Sequence, residues 1–509
     1  MKKRSLVLST VRRLKRKPEL LIGITTLGFF LLLTSLQDNY KLAVVATMVV
    51  IALYYIITKN LFFSLFSTFI ASVPFLLPAK RYEFEYASAS EYIFDLWENG
   101  MIRSINLSIS NLLVILIILF FLLETINLIV HIRSRAPHPF TTMFKLPLFT
   151  YISFCWVGYV GVSFYSSMYH SYFPTYSLYN LFENSKFFIG FIGIIYLFIR
   201  TKRFVKYIYV VLVTALLFHN VIGISQFATS PTPLSSSERQ YSQDAEENIP
   251  LERVSGISYQ ANIHAFVILL LFIHVLPYIT KRGKWFTNVV IFLTITNIIL
   301  SQSRTAWLSV AVVIAYIFIV RREEVKKIAL SLVRGKNLYR MIFLCVFAII
   351  IMLPRLQTSS IFFTEEGGGG LRTRMILEGW QLLQESPFVG FGLGNEVKVF
   401  LNTYSDSYAT TFPLYIHFAY LQMALESGML GAIFFFLPFL IFVIKYARIT
   451  NHPNNQPGPV LFCALCCIII LFVNFSLQPA LGILEFYLIG IALGAGVLSL
   501  SKINPEIYL

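Results

Sequence analysis

Charge is scarce in this chain of 509 residues. Asp, Glu, Lys and Arg together make up 13% of it, about half the share usual in a soluble domain. So few polar groups cannot cover a globular surface, and a water-soluble fold is excluded. Disorder is excluded with it, because a disordered chain needs high charge and low hydrophobicity, whereas 57% of these residues are apolar and the mean hydropathy is +0.71. Cysteine is sparse too. Five in the whole chain exclude a disulfide-stapled fold, and Cys155, Cys345, Cys463, Cys466 and Cys467 all lie in apolar runs, where a thiol packs as a small hydrophobe. The spacing of the last three permits a redox pair, but a dithiol on a lipid-buried helix lacks access to partners, and packing is the better reading. No repeat of fixed period is present. Nor is there an acidic cluster on the outer side suited to a divalent ion, since TYSDSY around Asp406 holds one acid where an Asp-x-Asp pair needs two.

What is abundant is long runs of Leu, Ile, Phe and Val, and lipid is where they are buried. A window of about 19 residues finds spans near 20–36, 42–57, 61–77, 111–130, 146–166, 187–199, 207–225, 262–279, 286–302, 305–320, 341–354, 428–444, 459–477 and 484–500. The predicted fold is therefore all-α, a polytopic transmembrane bundle of about 12–14 spans. The first run is long and lacks a small-residue cleavage site, so it reads as an uncleaved anchor. The net charge of +16 does not point to nucleic acid, because the basic residues occupy every second gap between runs: Lys2 to Lys17 first, later Arg133 with Arg135, 200–206, 281–284, 321–327, and Lys445 with Arg448. This positive-inside pattern predicts that both termini are cytoplasmic. The expected division is a basic N-terminus over 1–19, eleven helices with short loops over 20–354, a large extracytoplasmic loop over 355–427 and C-terminal helices over 428–509.

The outer loops carry the chemistry. One, over 78–110, mixes aromatics and acids; another, over 228–260, contains Ser-Pro-Thr-Pro; the largest, over 355–427, contains an amphipathic stretch around 374–383 and then Gly390, Gly392 and Gly394. GFGLG has the spacing of a nucleotide loop, but no strand precedes it and no βαβ unit surrounds it, so tight turns account for it. Arginines say more. SQSRTAWL leaves almost no loop between two apolar runs, so the Arg304 guanidinium sits at or below the interface, where a charge costs a few kcal/mol unless it is paired or faces water. A lone snorkelling arginine would explain it equally well. Arg253, in LERVSGISYQANIHAF, precedes another span on the same side, and a second shallow guanidinium makes an anion site, able to grip a diphosphate bidentately. His417, in TFPLYIHFAYLQMALESGMLG, precedes the twelfth span on that face. Alone it reads as an interfacial histidine bonded to backbone. Opposite arginines, its imidazole can orient or deprotonate a hydroxyl while the guanidiniums stabilise charge on a phosphate leaving group.

SQSRTAWLSV, RTRMILEGWQLLQESPFVGFGLGNEV and HFAYLQMALESGMLGAIFFF, in that order, resemble the three consecutive signatures of the bacterial O-antigen ligase and polymerase superfamily, and RVSGISYQANIHAF is similar to the element that precedes them there. The resemblance covers residues 253–436; the first half of the chain shares only the hydropathy pattern. It implies a GT-C-like helical glycosyltransferase of the bacterial cytoplasmic membrane, working without a cofactor. Its donor would be a glycan on undecaprenyl diphosphate, and its acceptor a hydroxyl of another glycan or lipid-linked molecule on the outer face. Carried onto this chain, the resemblance implies that Arg253 and Arg304 hold the diphosphate and that His417 activates or positions the acceptor. Arg374, in RTRMILEGW, would be a further diphosphate ligand. Phe418 stands where the family usually has asparagine, and the acidic stretch 244–252 has no counterpart.

Ligation of finished chains and polymerisation of repeat units share donor and site, so both are open at this stage. Transfer driven by arginines needs no divalent metal, and a metal-independent enzyme is expected. From another class, a transporter or flippase for an anionic solute would also use basic residues at an interface. Paired broken helices or internal repeats, commoner in such proteins, are not seen in the sequence.

Overall fold

Apolar runs become helices here because a backbone in lipid must satisfy its polar groups within its own segment. The computed structural model describes residues 17–36, 39–73, 75, 79–83, 104–131, 138–229, 254, 261–320, 339, 346, 368–404, 407, 409, 415–450, 457–479 and 483–501. In chain order these form α1 (Pro18–Ser35), α2 (Tyr40–Thr58), α3 (Leu61–Ser72), β1 (Ala79–Glu83), β2 (Ser104–Ser108), α4 (Ile109–His131), α5 (Pro139–Phe144), α6 (Pro147–Tyr169), α7 (Pro174–Thr201) and α8 (Val205–Thr229). There follow α9 (Ala261–Ile279), α10 (Lys284–Leu300), α11 (Arg304–Val320), α12 (Gly368–Leu383), α13 (Glu396–Thr403), α14 (Ala419–Thr450), α15 (Pro459–Phe475) and α16 (Ile483–Leu500). The short antiparallel pairing of β1 with β2 is the only strand structure among the described residues.

Seven of the described helical segments are long and apolar enough to cross a membrane, and five shorter apolar helices accompany them. The chain is an all-α, multi-pass membrane protein. One of the seven, Pro174–Thr229, is divided by a 3-10 turn at Lys202–Phe204 into α7 and α8. The expected span at 341–354 lies outside the described residues, apart from residue 346.

Two helices begin earlier than their apolar runs. In α7 the stretch before residue 187 is polar, yet Glu183 and Lys186 are buried and paired at 2.6 Å, and Asn184 donates to the Tyr159 hydroxyl at 2.8 Å. Internal pairing is what lets such groups enter an apolar bundle, and hydropathy alone does not register it. α14 likewise starts at Ala419, and a break at Gly428 (φ 68°, ψ 171°) separates its first two turns from its long apolar part.

The bundle is tightest where α7 crosses α16. A Cβ on Gly490 would stand 2.0 Å from the Phe187 carbonyl oxygen, and one on Gly190 would stand 2.4 Å from that of Tyr487. Small residues let two backbones meet where lipid offers no hydrophobic drive for association. Outward, α1, α2 and α4 expose Leu31, Val45 and Leu123, as a lipid-facing surface requires. One end of the bundle is marked by ion pairs: Glu19 of α1 bridges Lys206 of α8 at 2.6 Å and also Arg282, while Glu124 of α4 pairs with Arg200 at 2.9 Å. The candidate site lies at the opposite end.

Candidate functional site

The SQSR turn joins α10 to α11 with no room for a loop. Ser301, Gln302 and Ser303 are all buried, and Gln302 takes a left-handed conformation at φ 50°, a strained choice for a residue with a side chain. The turn is over-determined by its surroundings. Ser303 Oγ accepts the Ala306 N–H at 3.4 Å, and the Trp307 indole donates to the Ile298 carbonyl at 3.1 Å, pinning α11 back onto α10. Arg304 thus occupies the first position of α11, half-buried, where its charge adds to the positive end of the helix dipole. Its neighbour Thr305 accepts from Gln478 Nε2 at 3.1 Å, just beyond the C-terminus of α15. The Tyr420 hydroxyl donates to the Phe472 carbonyl at 3.1 Å. The starts of α11 and α14 therefore meet the end of α15 at one mouth of the bundle.

α12 brings a second arginine to this mouth. Arg372 shares a helix face with Met375, Gly379 and Leu382, all of them buried, and a Cβ on Gly379 would lie 2.5 Å from the Ile416 side chain and 3.0 Å from that of Leu421. That face is turned toward His417. Burial and then the Arg304 guanidinium both pull the Arg372 pKa below its ordinary value, so two like charges are held within reach of each other in a half-buried setting. Arg374 is on the other face. It is exposed and bonded through Nε to Glu378 at 2.7 Å, and the second oxygen of Glu378 accepts from Ser407 at 2.8 Å. Leu377 and Trp380, also exposed, lie on the outward side of the same helix.

His417 stands in a short irregular segment before α14. Its Nδ1 lies 3.0 Å from the Tyr415 carbonyl; a carbonyl only accepts, so Nδ1 carries the hydrogen and Nε2 keeps the lone pair. Burial first, and then the Arg372 charge, lower its pKa to about 4, against the opposing Tyr415 bond. The imidazole is neutral at pH 7 and available as a proton acceptor.

Arg253 lies outside the described residues. The residue after it, Val254, is buried and its N–H bonds to the Leu300 carbonyl at 3.3 Å, four residues before Arg304. The glycine-spaced loop forms turns: Gly390, Gly392 and Gly394 all have φ between 75° and 88°. Its N–H groups close on α14, Phe391 to the Leu425 carbonyl at 2.8 Å and Gly392 to that of Glu426 at 2.9 Å, while the Met429 N–H returns to Pro387 at 2.8 Å. The loop therefore caps the carbonyls left open by the break at Gly428.

Arg372, two positions before the arginine selected from the sequence, is the one on the helix face turned toward His417. A helical signal for it exists, since Met375, Gly379 and Leu382 follow at spacings of three, seven and ten. It is masked by Leu377 and Trp380, whose apolar side chains mark an equally hydrophobic face on the exposed side.

Residues 289–436 match the family described as O-antigen ligase, a stretch that includes Arg304, Arg372, Arg374, His417 and Gly428 and covers less than a third of the chain. No curated protein matches the chain.

Proposed function

We propose that this chain, whose residues 289–436 match the O-antigen ligase family, belongs to the O-antigen ligase and polymerase superfamily and transfers a glycan from undecaprenyl diphosphate to an acceptor hydroxyl at the outer face of the bacterial cytoplasmic membrane. The observation that carries this reading is the convergence of Arg304, Arg372 and His417 at one mouth of the bundle. Two guanidiniums in electrostatic range of each other repel, and a diphosphate between them turns that repulsion into attraction. The α11 N-terminus faces the same anion. Arg253 is assigned to the same group of ligands on the strength of the Val254 anchor at Leu300. Arg374, bonded to Glu378 on the exposed face, is assigned to the rim of the site, and the third guanidinium to Arg372.

The donor enters sideways from the bilayer, with its prenyl chain left among lipid tails and its diphosphate at the arginines. His417 Nε2 takes the proton of the acceptor hydroxyl as that oxygen attacks the anomeric carbon. The bond from the anomeric carbon to the phosphate oxygen breaks, and undecaprenyl diphosphate leaves with the electron pair. Binding also tunes the base. In the free protein the Arg372 charge suppresses protonation of His417; a bound diphosphate cancels that charge, so the imidazole becomes a stronger base only when the donor is present.

This has a signed consequence for pH dependence. Protonated His417 cannot accept a proton, so the rate falls as pH drops through its pKa. The acid limb of kcat/KM, which reports the free protein, is expected near pH 4, and that of kcat, which reports the donor complex, at higher pH. In Arg372→Gln the kcat/KM limb is expected to move upward, because one suppressing charge is gone. Coincident limbs in both proteins would mean that His417 does not titrate in the reaction.

The transfer itself is tested with purified protein, undecaprenyl diphosphate-linked oligosaccharide and an acceptor glycan. Release of free undecaprenyl diphosphate with growth of the acceptor supports a transferase. Movement of the intact donor across proteoliposomes with no release supports a flippase instead. An acceptor that is itself undecaprenyl-linked, against one that is a lipid core, separates polymerisation from ligation.

A further inference from the structure

The segment that presents His417 has no regular structure, so something other than a helix ladder must hold it. Ile416, the residue before the histidine, donates its N–H to Glu396 Oε1 at 2.5 Å. Glu396 is the first residue of α13, 1% exposed, and its Oε2 is buried with no hydrogen-bond partner among the described residues. Around it the Tyr415 hydroxyl reaches the Gly394 carbonyl at 3.5 Å, and Asn395 Oδ1 accepts the Phe173 N–H at 3.0 Å. On the other side lies Glu426 of α14, 5% exposed, which accepts from Gln422 at 3.0 Å. The loop before α13 is in turn fixed to α6 through Ser166, whose Oγ accepts the Gly392 N–H at 2.8 Å and donates to the Glu426 carbonyl at 3.0 Å. Glu396 therefore connects a rigid, glycine-built clamp to the backbone beside the imidazole.

We infer that Glu396 is a positioning residue for His417: its buried carboxyl holds the Ile416 N–H and so fixes the direction in which the imidazole faces the acceptor. The inference rests on the transfer reading above for its kinetic consequence, but not for its geometric one. Burial, and next the charge of Glu426, push the Glu396 pKa well above the usual carboxylate range, against the lowering effect of the Ile416 N–H. An ionised carboxylate there would be buried with one oxygen unpaired, which is costly. It touches neither donor nor acceptor in this scheme. Its effect is on orientation, where small misplacements are expensive in rate.

The test compares Glu396→Met, which keeps volume but removes the acceptor, with Glu396→Gln, which keeps an oxygen able to take the Ile416 N–H. In the full-length protein, Glu396→Met is expected to lower kcat about 10-fold or more with the donor KM within about 2-fold, and Glu396→Gln to stay within about 3-fold of wild type. A second readout does not need turnover: the rate at which diethylpyrocarbonate modifies His417, followed by peptide mass spectrometry, is expected to rise several-fold in Glu396→Met and not in Glu396→Gln. Equal losses in both variants, a change confined to KM, or a Glu396→Met protein with wild-type kcat and wild-type modification rate would each overturn the inference. A wild-type protein without transfer activity, together with faster His417 modification in Glu396→Met, would sink the transferase reading and leave the positioning role standing.

Discussion

Alanine at Arg304 or at Arg372 is expected to lower release of undecaprenyl diphosphate by on the order of 10²- to 10³-fold, the range seen when one preorganised charge-stabilising group is removed from a developing oxyanion. The two losses should not add. Once one guanidinium is gone, the diphosphate shifts toward the other, so the double variant is expected to fall short of the product of the singles. Arg374→Ala is the internal control. Its side chain is exposed and bonded to Glu378, so its removal should cost little in kcat, with only a modest rise in donor KM. Arg372→Lys is more telling than it looks, because lysine keeps the charge while losing the forked, planar donor set that suits a diphosphate. If charge alone mattered, Arg372→Lys would restore the wild-type rate. Initial rates with the lipid-linked donor decide among these outcomes. A wild-type rate in Arg372→Ala, or an Arg374→Ala protein as crippled as Arg304→Ala, would remove the proposed anion site.

The second large effect is expected at Gly428. Its φ of 68° with ψ of 171° lies in a region that residues with a side chain hardly enter, at about 1–3 kcal/mol of strain. Space is missing as well: a Cβ there would stand 2.1 Å from the Phe388 carbonyl oxygen and 2.4 Å from the Val389 nitrogen, both backbone atoms of the clamping loop. Neither neighbour can rotate away. Gly428→Ala is therefore expected to cost roughly 3 kcal/mol or more, at the diagnostic end of single substitutions. It would also push the glycine-spaced loop off Leu425 and Glu426, disturbing the segment that carries His417. Gly161, in α6, makes the comparison, since a Cβ there meets nothing within 4 Å, and Gly161→Ala should be nearly silent. Thermal unfolding in detergent measures both. Equal melting temperatures for the two variants would mean that the break in α14 is not a structural requirement.

Much of the architecture was legible because a bilayer reduces the problem to one variable. A lipid-buried backbone has to become a helix, so hydropathy alone located most of the helices from α1 to α16. It does not locate the short α5 or the loop helices α12 and α13, and at two spans it misses the start. The polar first half of α7 is helical because Glu183 and Lys186 pair within the helix and Tyr159 of α6 accepts from Asn184, and the first two turns of α14 because a loop caps the open carbonyls at Gly428. Neither Tyr159 nor the capping loop is recognisable as a partner along the chain. The site divides similarly. Arg304 stood out because SQSR lacks any loop in which a charge could reach water, and His417 because it immediately precedes an apolar run.

What the sequence by itself determined was the class of molecule, the order of its helices and the kinds of side chain found at one end, since each of these follows from local composition and the cost of leaving polar groups in hydrocarbon. Only the tertiary structure turned Arg372 toward Arg304 and His417 and Arg374 toward Glu378, and brought Glu396 to the backbone of Ile416. On a helix with protein on one side and an apolar exposed face on the other, both faces are hydrophobic, and direction becomes a property of packing rather than of pattern.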